Sequence, residues 1–382
     1  MKILIYTGIE FTFEKFVLPL ALELKKEGHI VYTSFNNKEY LGKLFDKNGF
    51  EFFYSPLERK ISLIKICQSI LRLIKVCNSK EIDIIHCHTP IASIVARIAG
   101  FFIKKTKVIY TCHGFYFHEN LNKSKFFLFF IIEFVLSKIT CKIFFVSKED
   151  FEFSIKYKFK KKKDLVFISN GVKDNFKPII NNDEKYIERE KFRIPKENFT
   201  FGIAARFVKE KGFIELIHAF SQILISHPNT SLCICGTRLK GEHNDDVSFF
   251  IKNSIQSFPK NIFLIGELSS NDMPSYYRSL DTFILPSWRE GMPMTILEAM
   301  MSGLPIIASN IRGCREALND GFNGILFEHK DVTELKKAMK KILDNKKLFK
   351  KYSKNSRELA LNNFTLDKNL RIQMKVFEDL YL

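Results

Sequence analysis

Residues 200–212 read TFGIAARFVKEKG, an apolar run that ends in two alanines and leads straight into a basic segment. Apolar residues at helical spacing follow this segment. The stretch therefore predicts a buried strand at 200–205, a loop at the carboxyl end of that strand, and a helix beyond the loop. Such a unit is the repeating element of an α/β domain.

Comparable units occur along both halves of the chain. The other strands are predicted at 2–6, 29–33, 51–54, 82–86, 107–112 and 142–146, and at 230–235, 261–265, 281–285, 304–308 and 324–327. Apolar strands separated by helices are typical of parallel sheets that are covered on both faces. The sequence therefore predicts two doubly wound, Rossmann-like α/β domains.

The pattern stops near Asn170-Gly171, where polar and proline-containing sequence follows without apolar periodicity. Turn and linker residues of this kind indicate a domain boundary. We expect an N-terminal domain at 1–170, a C-terminal domain at 171–365, and a C-terminal helix at 366–382 that packs back on the N-terminal domain. Because ligands bind outside the carboxyl ends of the strands in such sheets, the loops of both domains are expected to line a common cleft.

The composition is that of a folded globular protein, with 46% hydrophobic and 27% charged residues among 382. Eight cysteines are scattered without paired spacing, which favours a reducing compartment over a disulfide framework. The first apolar run is too short for a signal peptide. The most apolar segment, 126–136, contains Glu133 and is too short for a membrane span. We therefore expect a cytoplasmic protein without a transmembrane helix.

The formal net charge of +18 is concentrated in the first half of the chain. Residues 1–170 contain 28 Lys and Arg against 16 Asp and Glu, whereas the remainder contains 32 against 26. Basic residues lie on one side of a predicted apolar helix at 61–77 and in nearby loops: Lys65, Arg72, Lys75, Lys104, Lys105, Lys107, Lys123 and Lys125. Solvated surface charge explains this pattern as well as attraction to an anionic bilayer does. We expect a peripheral location on the inner face of the cell membrane, and no nucleic-acid partner, since no nucleic-acid-binding module is recognised.

Two cations follow the strand at 200–205. The guanidinium of Arg206 forms forked hydrogen bonds with phosphate oxygens, and the ammonium of Lys211 adds a point charge, so the pair could neutralise a diphosphate without a metal. A solvated basic turn is an equally good interpretation of the spacing alone.

Residues 286–300 read PSWREGMPMTILEAM, in which a strand ends, a glycine turn follows and a helix begins. Free N–H groups at such a helix start form an anion site. A carboxylate accepts two hydrogen bonds from a vicinal diol, which suits Glu298 for a ribose and Glu290 for sugar hydroxyls. Surface charge, or interaction with the helix dipole, is the alternative for both. The predicted donor-binding residues here and at the end of the strand at 261–265 are Gly291, Met292, Met294, Thr295, Ile296, Gly266 and Leu268.

The Glu290-x7-Glu298 segment, Arg206-x4-Lys211 and Asn170-Gly171-Val172 together resemble the family 4 retaining glycosyltransferases with the GT-B fold, over essentially the whole chain. The resemblance implies a hexosyltransferase that uses a nucleotide sugar as substrate and needs no metal or other cofactor. It places the positions of Arg206 and Lys211 on the donor diphosphate, that of Glu298 on the ribose and that of Glu290 at the donor sugar.

The segment from His88 to Phe117 resembles members of the family that extend lipid-linked glycans for capsules, exopolysaccharides or glycoproteins. This narrower resemblance implies a UDP-linked N-acetylhexosamine as the first choice of donor and a polyprenyl-pyrophosphate-linked saccharide as acceptor. Retention then implies same-face attack in which the leaving phosphate takes the acceptor's proton, so neither glutamate is assigned as a general base.

His113 follows the strand at 107–112, and the family has a histidine in a comparable place that approaches the donor sugar. We therefore assign it to the catalytic set with Glu290, Arg206 and Lys211, although a packed histidine is the alternative. The acceptor side is predicted to include three residues: His88, Thr89 and Asn170. Thr7-Gly8-Ile9-Glu10 has one glycine where the family commonly has several, so Gly8 stays a donor-binding candidate and the shape of the acceptor pocket stays open.

His86-Cys87-His88 could be taken for a metal site, but no further ligand group is evident, so packing is favoured over zinc. The sequence has no Asp-x-Asp for a divalent cation and no Gly-x-Ser-x-Gly. Cys233 and Cys235 lie in a predicted strand and are interpreted as packing residues. Two alternatives stay open: a nucleotide-sugar 2-epimerase, which needs a diphosphate site but no acceptor, and, more remotely, a basic nucleic-acid-binding protein.

Overall fold

The computed structural model describes residues 1–36, 49–57, 62–117, 121–238 and 246–381. Its contacts divide the chain into two units, Met1–Ser169 with Asn369–Leu382, and Asn170–Lys368. The first division thus falls one residue before the predicted boundary at 170. The last helix, Leu366–Tyr381, begins in the second unit, and its residues from Asn369 onward belong to the first.

The first unit contains a seven-stranded parallel sheet in the order β3-β2-β1-β4-β5-β6-β7. Its strands are β1 (Lys2–Tyr6), β2 (Ile30–Phe35), β3 (Glu51–Tyr54), β4 (Ile84–His88), β5 (Lys107–Cys112), β6 (Lys142–Phe145) and β7 (Leu165–Phe167). Its longer helices are α1 (Leu18–Lys26), α2 (Leu63–Lys80), α3 (Pro90–Phe102), α4 (Lys123–Lys138) and α5 (Lys148–Lys156). A short α-helical turn (Glu10–Thr12) and a π-helical segment (Phe13–Val17) lead into α1. All six predicted strands are confirmed, β4 lies two residues later than predicted, and β7 was not predicted. Residue 61, the predicted first residue of α2, lies outside the described residues.

The second unit contains a six-stranded sheet in the order β10-β9-β8-β11-β12-β13. Its strands are β8 (Phe199–Ala204), β9 (Thr230–Cys235), β10 (Ile262–Gly266), β11 (Thr282–Leu285), β12 (Ile306–Ser309) and β13 (Gly324–Phe327). Its helices are α6 (Asn182–Lys191), α7 (Phe213–Leu224), α8 (Asp246–Ser257), α9 (Met273–Ser279), α10 (Met294–Met301), α11 (Arg312–Arg315), α12 (Val332–Leu343) and α13 (Lys346–Asn363). The last helix is α14 (Leu366–Tyr381).

Burial explains why these segments form strands. All six residues of β9 are buried, including Cys233 and Cys235, which confirms that these cysteines are packing residues. A strand covered on both faces needs apolar side chains on both, and the runs of Ile, Val, Phe and Leu provide them. The apolar runs thus specify the two sheets, and the strands' carboxyl ends position the loops.

A buried ion pair joins two helices of the first unit. Arg97 of α3 donates from Nη1 to Glu133 Oε2 of α4 at 2.8 Å, and its guanidinium lies 4.3 Å from the ring centre of Tyr110. Glu133, which interrupts the most apolar segment of the sequence, is thus an internal partner of Arg97. Within the described residues, no helix is both long and apolar enough to cross a membrane.

Candidate functional site

Two loops of the second unit meet through an ion pair. Lys211 ends a 3₁₀ turn (Lys209–Lys211) after β8, and Glu290 lies in the loop between β11 and α10. Lys211 Nζ donates to Glu290 Oε1 at 2.5 Å, and Ser287 Oγ donates to the same oxygen at 2.7 Å. Only 16% of the lysine and 11% of the glutamate side chain is exposed. Glu290 is therefore held through Oε1, and its Oε2 takes part in neither contact.

Close backbone approach explains why these loops meet. Gly212 has a φ of +70°, and a Cβ there would lie 2.1 Å from the carbonyl oxygen of Pro286. Gly313 of α11 packs so closely on the β11–α10 loop that a Cβ would lie 1.6 Å from the carbonyl oxygen of Gly291. Glycine alone fits where another backbone comes this near. The two glycines therefore set the positions of the loops that carry the ion pair.

The second carboxylate of the motif is oriented by a buried tyrosine. Glu298 lies one turn into α10, and its Oε2 accepts a hydrogen bond from Tyr277 Oη of α9 at 2.9 Å. Burial first, and the nearby carboxylate second, raise the pKa of Tyr277 well above its ordinary value. The hydroxyl therefore keeps the proton that it donates, and the carboxylate is held in one direction.

The amino terminus of α10 differs from the sequence prediction. The N–H of Ile296 donates to the carbonyl of Pro293 at 3.2 Å, a bond that tightens the first turn. The expectation of a free N–H at Ile296 is therefore wrong. Pro293 is the N-cap residue, and its side chain cannot accept a hydrogen bond from the N–H groups of Met294 and Thr295. An anion site at this helix start would therefore be limited to the N–H groups of Met294 and Thr295.

Arg206 is exposed at the carboxyl end of β8. Close by, a Cβ on Gly236 would lie 1.9 Å from the carbonyl oxygen of Ala205, and the Gly236 N–H donates to the carbonyl of Gly266 at 2.8 Å. Gly236 thereby joins the ends of β8, β9 and β10. Gly266 and the half-buried Leu268 thus lie at the same edge of the sheet as Arg206, separated from β8 by β9.

Asn170 lies in the second unit, although it is predicted on the acceptor side. Its Nδ2 donates to the carbonyl of Met292 at 3.1 Å in a buried contact. Two residues later, the N–H of Val172 donates to the carbonyl of Phe364 at 2.8 Å. These bonds fix the Asn170–Val172 segment beside the loop that carries Glu290.

The carboxyl ends of β1, β4 and β5 bring four predicted residues of the first unit together. His88 ends β4, His113 follows β5, and His88 Nδ1 and His113 Nε2 share one hydrogen bond at 3.1 Å. A Cβ at Gly8 would lie 3.3 Å from the hydroxyl oxygen of Thr89. Thr89 has a φ of +67°, which is rare for a β-branched residue. Strain of this kind concentrates at functional sites.

Burial keeps three histidines of this unit neutral near pH 7. It lowers the pKa of His86 to about 3 and that of His113 to about 4, and it lowers the pKa of His88 well below its ordinary value. His86 Nε2 shares a hydrogen bond with Thr111 Oγ1 at 2.7 Å. In the part of the chain that the structure describes, no group of three His, Cys, Asp or Glu side chains could hold a metal ion.

Comparison with known proteins identifies the family. Residues 13–176 match the model of Glycosyltransferase Family 4, and residues 184–359 match that of Glycosyl transferases group 1. The chain is 30% identical over 334 residues to UDP-Gal:alpha-D-GlcNAc-diphosphoundecaprenol alpha-1,3-galactosyltransferase of Escherichia coli, with 87% of this chain and 83% of the relative covered. The chain is a glycosyltransferase of family 4.

Two further relatives are similar to this glycosyltransferase. It is 27% identical to the capsular polysaccharide biosynthesis glycosyltransferase CapM of Staphylococcus aureus, with 81% of this chain and 80% of the relative covered. It is 21% identical to the N,N'-diacetylbacillosaminyl-diphospho-undecaprenol alpha-1,3-N-acetylgalactosaminyltransferase of Campylobacter jejuni, over 95% of this chain and 96% of the relative.

The fold of the glycosyltransferase is confirmed by solved structures. Anabaena Alr3699/HepE in complex with UDP aligns with a TM-score of 0.80 at 19% identity, with 100% of each chain covered. The predicted GT-B fold, built from two Rossmann-like domains, is therefore correct.

Three residues that support the site of this glycosyltransferase were missed from the sequence: Ser287, Tyr277 and Gly313. Ser287 stands three residues before Glu290, so its hydroxyl could have been noticed as a partner within the same turn. The other two lie in separate elements of the unit and have no local signal. They become visible only when the loop and helix against which they pack are in place.

Proposed function

We propose that this glycosyltransferase moves a sugar from a UDP-sugar to a polyprenyl-diphosphate-linked saccharide during assembly of a surface polysaccharide, with retention of configuration and without a metal. The observation that carries the proposal is the contact between Lys211 and Glu290. It joins a cation suited to a diphosphate and a carboxylate suited to a sugar in one part of the second unit. The named activities of the relatives support the same reaction class.

The roles of the side chains follow from charge and hydrogen-bonding capacity. Arg206, Lys211 and the N–H groups of Met294 and Thr295 stabilise the negative charge that develops on the leaving diphosphate, the kind of contribution that is usually largest in such reactions. Because these groups supply positive charge at the phosphates, the reaction needs no divalent cation there. The leaving phosphate then takes the proton of the attacking hydroxyl.

The two glutamates bind substrate hydroxyls in this proposal. Glu290 is fixed through Oε1, so its Oε2 is directed to hydroxyls of the donor sugar. Glu298, oriented by Tyr277, accepts hydrogen bonds from the ribose. Neither carboxylate acts as a base, because the proton leaves with the phosphate.

The relatives narrow the choice of substrates. The Escherichia coli protein is named for UDP-galactose, and the Campylobacter jejuni protein for N-acetylgalactosamine transfer. Both names specify a diphospho-undecaprenol acceptor. We therefore place galacto-configured UDP-sugars, with or without the N-acetyl group, first among the donors. N-acetylglucosamine follows them.

A nucleotide-release assay tests the proposal. UDP-galactose, UDP-N-acetylgalactosamine, UDP-N-acetylglucosamine and GDP-mannose are each incubated with and without a polyprenyl-diphosphate-N-acetylglucosamine acceptor, in EDTA and in excess Mg²⁺. The expected result is UDP release that requires the acceptor and survives EDTA, together with an elongated lipid-linked product. Epimerised sugar without acceptor would instead support a nucleotide-sugar 2-epimerase, and loss of transfer in EDTA would overturn metal independence.

A lipid-linked acceptor resides in a membrane, and the first unit has a surface that fits one. Exposed apolar residues of α2 and α4 form what we call the outer helix face: Leu63, Ile64, Leu71, Phe127, Leu128, Ile131 and Val135. Phe127 alone is 61% exposed. Helix α3 contacts both α2 and α4, and exposed apolar groups that form a patch mark an interaction surface.

The positive charge of α2 and α4 favours an anionic bilayer as the partner of the outer helix face. Helices α2, α3 and α4 contain one carboxylate, Glu133, and it is buried against Arg97. The exposed basic residues of α2 and α4 include Arg72, Lys75 and Lys123. Each such residue adds about 1 kcal/mol of attraction to an anionic membrane. The outer helix face therefore combines apolar groups that insert with cations that attract.

Vesicle flotation tests this membrane partner with a matched pair of variants. Phe127→Asp is expected to reduce binding to phosphatidylglycerol vesicles at least about tenfold, because it puts a charge where an apolar group inserts. Phe249→Asp, at a phenylalanine of α8 that is 66% exposed in the second unit, is expected to bind like the parent protein. Equal binding of both variants, or equal binding to neutral and anionic vesicles, would contradict the assignment.

A further inference from the structure

His88 and His113 meet at the carboxyl ends of two paired strands. The register of β4 and β5 places His88 opposite Thr111, and His113 follows two residues after Thr111, just beyond the end of β5. The two imidazoles share a hydrogen bond between His88 Nδ1 and His113 Nε2 at 3.1 Å. The question that this contact raises is which ring supplies the proton.

The buried surroundings of His88 answer that question. Only 3% of the residue is exposed, and among the described residues no hydrogen-bond partner reaches its other ring nitrogen, Nε2. A neutral imidazole carries its proton on one nitrogen and a lone pair on the other. A buried N–H without an acceptor is rarer in proteins than a buried acceptor without a donor. The proton of His88 therefore resides on Nδ1, and it is donated to His113.

We infer that His88 is a positioning residue that locks His113 in the tautomer with its proton on Nδ1. Because Nε2 of His113 accepts from His88, that nitrogen cannot serve as a base. The ring instead carries a neutral Nδ1–H, which can donate to a sugar hydroxyl. That His113 contacts the donor sugar is what the family resemblance implies under the proposed function, whereas the tautomer rests on the His88–His113 geometry alone.

The lowered pKa values of both histidines fit this arrangement. Burial lowers the pKa of His113 to about 4 and that of His88 well below its ordinary value, so both rings are neutral near pH 7. A second proton on His113 would put an N–H on Nε2, opposite the Nδ1–H of His88, and the hydrogen bond between the two rings would be lost. The hydrogen bond between His88 Nδ1 and His113 Nε2 therefore needs one proton between the two nitrogens, which two neutral rings provide.

The tautomer is measured directly by long-range ¹H–¹⁵N correlation spectra of the full chain labelled with ¹⁵N-histidine at pH 7. The His113 signals are assigned by their loss in His113→Asn. The expected spectrum shows His113 protonated on Nδ1 and bare at Nε2. A spectrum in which His113 carries its proton on Nε2 would overturn the inference, whatever the enzyme's substrate proves to be.

Two substitutions of His88 test whether the positioning of His113 by His88 affects binding of the donor. In His88→Asn the amide nitrogen occupies the place of Nδ1 and still donates, whereas in His88→Gln the donor is moved away. We expect the donor KM of His88→Asn to stay within about twofold of the parent and that of His88→Gln to rise about fivefold, the loss of one hydrogen bond. Both variants lose the same buried ring, so a purely structural role of His88 would change their melting temperatures and KM values alike. Equal KM values would contradict the positioning role.

Discussion

Replacing Gly313 with alanine would displace the loop that holds Glu290. A Cβ at Gly313 would lie 1.6 Å from the carbonyl oxygen of Gly291 and 2.8 Å from Glu290 Cβ, whereas ordinary contacts begin at 3.4 Å. The loop must therefore retreat by about 1.8 Å, the difference between the first and the last of these distances. A misplacement of about 1 Å costs about 100-fold in rate when it moves a reacting group. We expect kcat/KM of Gly313→Ala to fall at least that far.

The assay is UDP release with the acceptor present, accompanied by a thermal melt of each variant. Gly321→Ala is the matched control, because its φ is +71° and a Cβ there has open space within 4 Å. Its left-handed backbone costs about 1–2 kcal/mol of stability without touching the loop. The control is expected to melt earlier and keep its activity. Activity of Gly313→Ala within about threefold of the parent would refute the idea that close packing of α11 positions Glu290.

Three further predictions concern the cations, the tyrosine and the buried histidines. Arg206→Ala and Lys211→Ala are each expected to lower kcat by about 100-fold or more through lost charge stabilisation, and near-normal turnover in both would reject the diphosphate site. Tyr277→Phe is expected to raise the donor KM about tenfold with little change in kcat, since a hydrogen bond to a charged group is lost; an unchanged KM would separate this tyrosine from substrate binding. The unfolded chain takes up protons near pH 6.5, whereas folded His86 and His113, with pKa values of about 3 and about 4, do not. Stability is therefore present above pH 6.5 and is lost on acidification, by about 1.4 kcal/mol per pH unit for each such histidine between pH 6.5 and its folded pKa, and urea midpoints that agree at pH 7 and pH 5 would contradict it.

Much of the fold was predictable because buried parallel strands are apolar along their whole length. This signal located β1, β5 and β9 to the residue. It failed for β7, whose three residues follow the lysines at 160–163 and are too few to form a recognisable run. A short edge strand gains its hydrogen bonds from β6, and the sequence of the strand itself does not reveal that neighbour.

The site was predictable as a set of residues at strand ends and less so as a set of contacts. Sequence spacing placed Lys211 and Glu290 in suitable loops, but the residues are 79 positions apart, and their ion pair depends on how Gly212 meets Pro286. The prediction for Ile296 failed because the Pro293 carbonyl closes the first turn. Spacing identifies which loops share an edge of the sheet, and backbone packing determines which atoms meet.

Thr89 shows a similar limit. Its backbone has a φ of +67°, a conformation that a sequence pattern would assign to glycine or asparagine and not to a β-branched residue. The surrounding fold imposes that conformation through the pairing of β4 with β1 and β5 and the start of α3. The fold overrides the backbone preference of threonine at this position, and the sequence around Thr89 does not indicate the positive φ.

The ion pair between Lys211 and Glu290 means that, in the proposed donor site, the carboxylate of Glu290 competes with the product UDP for the ammonium of Lys211. A cation that is already bound to a carboxylate holds an arriving anion less tightly, because the first contact must weaken as the second forms. In many enzymes the departure of product, and not the chemical step, limits turnover. Under the proposed function, Glu290 competes with UDP for Lys211, so the contact between the two side chains limits how tightly the product is held and forms again as UDP leaves.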